Sequence, residues 1–150
     1  MKASEVCLDA NIFVASLTRE PAQESCLELM QHIEQHQSAL FEPALLVFEV
    51  TSSFRKKQLR GELNGAEAER GLEIFFNLPL LLQWQDFLMQ KSIRFAEQLK
   101  FKNTYDSAYL AVAETRGIPL VTLDAELQAK GKRLYRDIYT PEQFLRVPRA

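Results

Sequence analysis

Two residue spacings alternate along the chain, and this alternation constrains the fold more than any other feature of the sequence. Short aliphatic runs such as 6–8 and 80–82 give way to longer stretches in which apolar residues recur every three or four positions. The short runs are typical of buried strands, and the second spacing is typical of helices with one apolar face. Strands that alternate with helices favour an α/β fold, here a parallel sheet of about five strands flanked by helices.

Several residues that cap helices mark the boundaries between these elements. Asn64 and Glu67 have the spacing of a capping box, and Thr140 directly precedes Pro141 at a predicted first turn. Thr104 is the predicted cap of a helix over 105–116. The predicted strands cover residues 6–8, 38–41, 80–82, 118–122 and 134–139.

Length and composition are those of one globular domain. The chain has 150 residues, of which 47% are hydrophobic and 25% charged. A chain of this size buries about 70% of its unfolded surface. No apolar run approaches the roughly 18 residues of a membrane helix, and the first residues lack the long apolar core of a signal peptide. We therefore expect a single domain over residues 1–150, located in the cytoplasm and without a membrane partner.

Motifs of several other enzyme classes are missing from the sequence. Cys7 and Cys26 have no CxxC spacing and lie on apolar stripes, so we interpret both as buried apolar side chains. His32 and His36 are the two histidines, and they lack the glutamate of an HExxH motif. No glycine-rich phosphate loop occurs. The net charge of −2 disfavours binding of polyanions through overall charge alone.

Four acidic residues lie where the surrounding pattern predicts partial or full burial. Asp9 and Asp124 each follow a predicted strand, and either could be a helix N-cap. Asp106 lies in a first helical turn, where it could complement the helix dipole. Glu49 follows four apolar residues within a helix, and a carboxylate in such a position usually has a partner or a ligand.

Taken together, these acids predict a cation site. In a parallel sheet, residues after the strands gather at the carboxyl edge. Two carboxylates about 5 Å apart repel each other by roughly 3 kcal/mol at an effective dielectric constant of 20. A divalent cation relieves this repulsion, and oxygen ligands favour Mg²⁺ or Mn²⁺ over zinc. A site of this kind is typical of metal-assisted phosphodiester hydrolysis.

Four segments resemble a known family in their order along the chain. Residues 8–13, 48–50, 105–114 and 120–124 are similar to the motifs of the PIN-domain nucleases, most closely the VapC-like toxins. The resemblance covers nearly the whole chain and implies a three-layer α/β/α fold. Ala10 is one departure, since many relatives have Ser or Thr there.

The resemblance also implies an activity, partners and residue roles. It implies a Mg²⁺- or Mn²⁺-dependent endoribonuclease that acts on RNA as the toxin of a type II toxin–antitoxin pair. A homodimer and an antitoxin protein are the implied protein partners. Asn11 and Thr122 would orient carboxylates or water. The implied catalytic and metal-binding residues are Asp9, Glu49, Asp106 and Asp124.

The expected RNA contacts lie on the helix that carries Glu49. Positive charge there could follow an RNA backbone, although a solvated helix end stabilised by the dipole explains the same residues. Trp84, Phe75 and Phe76 are interpreted as core or dimer-interface residues. The candidate RNA-binding residues are Arg55, Lys56, Lys57 and Arg60.

Three alternatives remain open at the level of sequence. A catalytically silent binding module could share the fold. The enzyme could cut single-stranded DNA, because a metal centre does not itself recognise the 2′-hydroxyl group. A phospho-acceptor receiver domain is disfavoured, because Ala10 and Asn11 follow Asp9 where an acid pair would be required.

Overall fold

The computed structural model describes residues 4–148, which form five strands and eight helices. The strands are β1 (Glu5–Leu8), β2 (Ala39–Pro43), β3 (Leu80–Gln83), β4 (Leu120–Val121) and β5 (Ile138–Tyr139). The helices are α1 (Ala10–Leu17), α2 (Gln23–Gln35), α3 (Leu46–Leu59), α4 (Gly65–Phe76), α5 (Asp86–Leu99), α6 (Tyr105–Arg116), α7 (Ala125–Gly131) and α8 (Pro141–Arg146).

The strands form one sheet in the order β3-β2-β1-β4-β5, and every neighbouring pair is parallel. The predicted α/β class and five-stranded parallel sheet are therefore confirmed. Among residues 4–148, no helix combines the length and the apolar character needed to cross a membrane.

The core lies around the central strand β1. Val6, Cys7 and Leu8 are completely buried, as expected for a strand with neighbours on both sides and helices on both faces. Cys26 is also buried and free, so the interpretation of both cysteines as apolar side chains is confirmed. Phe75 is in the core.

Two other aromatic residues of the predicted core group are exposed. Phe76 is 60% exposed and Trp84 is 71% exposed. The core interpretation is therefore wrong for both, because the helix and the strand end that carry them present these rings to solvent. Their assignment to a dimer interface stays a prediction.

Local capping signals correctly predict two helix starts. The Asn64 side chain accepts a hydrogen bond from the Glu67 amide, and the Glu67 carboxylate accepts one from the Asn64 amide. Thr140 and Gln143 form the same reciprocal pair at the start of α8. Capping boxes depend only on residues within one turn, which explains why both are readable from sequence.

Other local predictions differ from the structure. The helix over 105–116 begins after Thr104 as predicted, but the Thr104 side chain makes no capping hydrogen bond, and the Asn103 side chain accepts one from the Tyr105 amide instead. The last strand is shorter than the predicted 134–139, because the amides of Leu134 and Tyr135 turn back to a carbonyl at the end of α7. Only Ile138 and Tyr139 pair with β4.

The parallel sheet brings separate parts of the sequence to one edge. The Asp9 amide continues the pairing of β1 with β4 by donating to the Val121 carbonyl. Asp9 and Thr122 therefore leave adjacent strands at the same level. The carboxyl edge of such a sheet is the usual location of a binding site.

Candidate active site at the carboxyl edge

The four predicted acids line one cleft. Its volume is about 320 Å³, and its lining comes from Asp9, α1, the loop after α1, α3, α6 and the residue that caps α7. The acids in this lining are Asp9, Glu49, Asp106 and Asp124. Residues that are 115 positions apart in sequence are thus brought together at the edge where the sheet topology predicts a site.

Asp9 is the most buried of these acids, with only 4% of its surface exposed. It lies at the junction of β1 and α1, but its side chain does not cap the helix. The Thr122 hydroxyl donates a hydrogen bond of 2.7 Å to Asp9 Oδ2, and Asn11 Nδ2 donates one of 3.2 Å to the same oxygen. The two residues expected to have supporting roles therefore hold Asp9 directly.

Thr122 and Asn11 also tie the two strand ends together. Thr122 Oγ1 accepts a hydrogen bond from the Asp124 amide at 2.9 Å. Asn11 Oδ1 accepts one from the Leu123 amide at 3.2 Å. The loop after β4 is thereby connected to the loop after β1, and the position of Asp9 depends on both.

Asp124 caps α7 and also lines the cleft. Its Oδ1 atom accepts hydrogen bonds from the Glu126 and Leu127 amides, at 2.8 and 3.1 Å. The N-cap interpretation therefore holds for Asp124, although it does not hold for the side chain of Asp9. Since Asp124 also lines the cleft, capping and ligand binding are compatible at this residue.

The hydrogen-bond partner of Glu49 was not predicted from the sequence. The hydroxyl of Tyr109 donates a hydrogen bond of 2.7 Å to Glu49 Oε1. The tyrosine is completely buried on α6 and lies three residues after Asp106. This spacing places Asp106 and Tyr109 on one helix face, and it is the signal that could have identified the tyrosine.

Among residues 4–148, no lysine or arginine side chain forms an ion pair with any of these four acids. Burial raises the pKa of Asp9 to about 7, and the charges of Asp106 and Glu49 contribute further, against the lowering effect of the Thr122 hydrogen bond. Burial also raises the pKa of Glu49, with a contribution from Asp106. The pKa of Asp106 is raised by burial and then by Asp124. Such a group of acids takes up protons or binds cations.

The acids line the walls of the cleft without meeting at one point. Within the described range 4–148, no three acidic, histidine or cysteine side chains are arranged as a ready set of metal ligands. The oxygen-only chemistry of the cleft nevertheless suits a hydrated hard cation, because Mg²⁺ keeps several waters and needs few protein oxygens. Metal binding itself stays a prediction.

The basic residues of α3 differ in their surroundings. Lys56, Lys57 and Arg60 line the cleft, whereas Arg55 is exposed and outside this lining. Lys57 is buried, and its Nζ atom lies 2.9 Å from a Glu20 carboxylate oxygen.

Arg60 bonds to the exposed Glu62 at 2.8 Å, and the same glutamate lies 3.5 Å from Lys57. Among residues 4–148, no carboxylate pairs with Lys56. Of the four predicted RNA-binding residues, Lys56 therefore has the most accessible charge at the cleft.

Comparison with known proteins decides the family. The model of the PIN domain matches residues 6–133 of the chain. The chain belongs to the PIN-domain family. The predicted family is thereby confirmed, and no curated protein matches the sequence.

Solved structures have the same fold. PAE2754 from Pyrobaculum aerophilum is 24% identical with a TM-score of 0.70, covering 96% of this chain and 94% of that one. VapBC2 from Rickettsia felis, bound to a DNA fragment from its promoter, is 16% identical with a TM-score of 0.64 and coverages of 90% and 96%. VapC20 from Mycobacterium tuberculosis, a sarcin-ricin loop cleaving toxin, is 12% identical with a TM-score of 0.64 and coverages of 84% and 95%.

One acid of this PIN domain that the sequence analysis missed lies outside the cleft lining. Glu42 is completely buried on β2, and its Oε1 atom accepts a hydrogen bond of 2.7 Å from the Leu8 amide. The Cys7 thiol donates to Oε2 at 3.7 Å. The predicted second strand ended at residue 41, before Glu42, so this acid was not placed among buried residues. Burial raises its pKa well above the ordinary value.

Proposed function

We propose that this PIN domain is a Mg²⁺- or Mn²⁺-dependent endoribonuclease. The observation that carries the proposal is the buried carboxylate of Asp9, whose pKa is raised to about 7 among other acids. No cationic side chain within residues 4–148 forms an ion pair with it. Since buried charges are normally paired or bind a metal, a cation is the partner that this carboxylate lacks.

The chain's own residues have separable tasks in this reaction. A bound divalent ion would lower the pKa of the attacking water and neutralise charge on the phosphate oxygens. Oxygens of the four cleft acids would hold the ion, and Thr122 and Asn11 keep Asp9 in place. Lys56 offers an accessible positive charge to the phosphate backbone at the cleft.

RNA is the preferred substrate in this proposal, and single-stranded DNA is the alternative. The fold is shared with VapC20, which is described as a sarcin-ricin loop cleaving toxin. A second relative in fold, VapBC2, is bound to promoter DNA. We infer that the chain is the toxin of a type II toxin–antitoxin pair and that an antitoxin protein is its partner.

A homodimer is the second proposed assembly. Strand β3 lies at an edge of the sheet, and it has neither a charged residue nor a proline to discourage pairing. Leu81, Leu82, Trp84 and Phe87 expose 45%, 39%, 71% and 53% of their surfaces in this region. An uncharged edge strand with neighbouring exposed apolar side chains is typical of a protein–protein interface.

A cleavage assay on a panel of substrates tests this function. Structured RNAs and single-stranded DNA are incubated with the protein and Mg²⁺ or Mn²⁺, with EDTA as the control. We expect cutting of RNA that EDTA abolishes, with DNA left intact. Cutting of DNA alone would favour the alternative substrate. Mn²⁺ binding without any cutting would point to a narrow range of substrates, and the absence of both cutting and Mn²⁺ binding would favour a silent binding module.

A further inference from the structure

Three of the four cleft acids are anchored through one oxygen each. Asp9 uses Oδ2 for both of its side-chain donors, and Asp124 uses Oδ1 for both of the amides that it caps. Glu49 uses Oε1 for a phenolic hydroxyl. In each of these three acids, these hydrogen bonds use one of the two carboxylate oxygens.

Glu49 depends on its anchor more than the two aspartates do. Its side chain has one more rotatable bond, and a single hydrogen bond holds it, whereas each aspartate has two. Among residues 4–148, no donor contacts its Oε2 atom. The direction of that oxygen is therefore set by the hydroxyl of Tyr109.

Tyr109 is a rigid anchor. Its side chain has no exposed surface, and α6 packs against β1 and β2. The backbone carbonyl of Tyr109 also lies 3.8 Å from the Cys7 thiol on β1. Removal of the hydroxyl would leave this packing intact while it frees Glu49 to rotate.

We propose that Tyr109 is a positioning residue that restricts Glu49 to binding a cation through one oxygen, and that it thereby favours Mn²⁺ and Mg²⁺ over Ca²⁺. Ca²⁺ takes six to eight oxygens and readily binds a carboxylate through both of them, whereas Mg²⁺ requires a compact octahedron. A carboxylate with one oxygen in a hydrogen bond offers only its other oxygen to a cation, and this suits the compact octahedron of Mg²⁺. This inference rests on the proposed metal-dependent function.

Calorimetric titration with Mn²⁺ and with Ca²⁺ tests the proposal. In Tyr109→Phe we expect Mn²⁺ affinity to fall about tenfold, the effect typical of losing a hydrogen-bond partner of a metal ligand. The affinity for Ca²⁺ should fall less, so the ratio of Mn²⁺ to Ca²⁺ affinity should decrease. Tyr135→Phe is the matched control, because it removes a hydroxyl that donates to the Ile118 carbonyl at 2.8 Å and lies outside the cleft.

A second background shows whether Tyr109 acts through Glu49. In Glu49→Gln protein, adding Tyr109→Phe should cause no further change in the ratio of Mn²⁺ to Ca²⁺ affinity. If Tyr109 were only a structural residue, Tyr109→Phe would weaken the binding of both metals equally in either background. This result would overturn the inference. If Tyr109→Phe reduces the yield of folded protein, 3-fluorotyrosine at position 109 keeps the ring and provides a stronger donor. The preference for Mn²⁺ should then increase, and an unchanged or smaller preference would contradict the proposal.

Metal binding by the wild-type protein separates failure of the proposed function from failure of the role of Tyr109. Wild-type protein that binds neither metal overturns the proposed function and this inference with it. Wild-type protein that binds Mn²⁺, with the same preference in Tyr109→Phe, overturns the role of Tyr109 alone.

Discussion

In the proposed function, four carboxylates hold the cation. The positions of Asp9, Glu49, Asp106 and Asp124 could be predicted because each follows a strand or opens a helix, and parallel topology brings such positions to one edge. Their partners could not be predicted. The bond from Tyr109 to Glu49 joins residues 60 positions apart, and it depends on how α6 packs beside α3.

The raised pKa of Asp9 predicts a pH-dependent metal affinity. A proton that Asp9 holds below pH 7 must leave before a cation can bind, so Mn²⁺ affinity should fall about tenfold from pH 8 to pH 6. Titration calorimetry in two buffers of different ionisation enthalpy measures both the affinity and the proton released. Equal affinity at the two pH values, with no proton release, would contradict this prediction.

Because the carboxyl group of Glu42 is buried, a neutral side chain at this position should make the protein more stable than wild type. Burial raises the pKa of Glu42 in the folded state well above the ordinary value of 4.5, so the folded state keeps a proton that the unfolded chain has released. Stability is therefore lost as the pH rises from about 4.5 through the folded pKa. Glu42→Gln keeps an acceptor for the Leu8 amide and removes the carboxyl group that titrates.

We expect Glu42→Gln to raise Tm by about 3 °C at pH 8, and by less at pH 5. Thermal unfolding followed by circular dichroism measures the effect, with the exposed Glu69→Gln as the control. A lower Tm at pH 8 than in wild type would show that the charged form of Glu42 stabilises the fold.

Helix and strand boundaries depend on interactions of different range. The helix starts at Asn64 and Thr140 could be predicted because their capping residues lie within one turn. The length of β5 could not, because it is limited by the two residues of β4 that it pairs with and by the turn after α7. The end of β2 was misplaced for a similar reason, since pairing with β3 continues to Pro43.

Asp124 caps helix α7 and is also a proposed metal ligand, and two different substitutions should separate these two roles. Asp124→Ala loses both hydrogen bonds to the amides and should destabilise the protein by about 1 kcal/mol. Asp124→Asn keeps an acceptor and should have nearly the stability of wild type, yet both variants should bind Mn²⁺ less tightly. Chemical denaturation and calorimetry measure the two properties. If Asp124→Asn bound Mn²⁺ as tightly as the wild-type protein does, Asp124 would be excluded from the metal site.

At the scale of the whole molecule, the sheet has an uncovered edge at β3. If a second copy covers it, a charge on that edge should separate the dimer. We expect wild type to sediment as a dimer and Leu81→Lys as a monomer in analytical ultracentrifugation. Ile74→Lys is the control, because Ile74 is also exposed but lies on α4. A monomeric wild type, or a dimeric Leu81→Lys, would contradict the proposed interface.

The central claim is that the four-acid cleft cuts RNA with a bound cation, and cleavage by Asp9→Asn protein tests it most directly. Asparagine keeps the size of the side chain and an acceptor for Thr122, so the fold should persist. Asp86→Asn, which changes an aspartate outside the cleft, is the control. We predict that Mn²⁺-dependent RNA cleavage is lost in Asp9→Asn and kept in Asp86→Asn. Cleavage by Asp9→Asn at the wild-type rate would contradict the account.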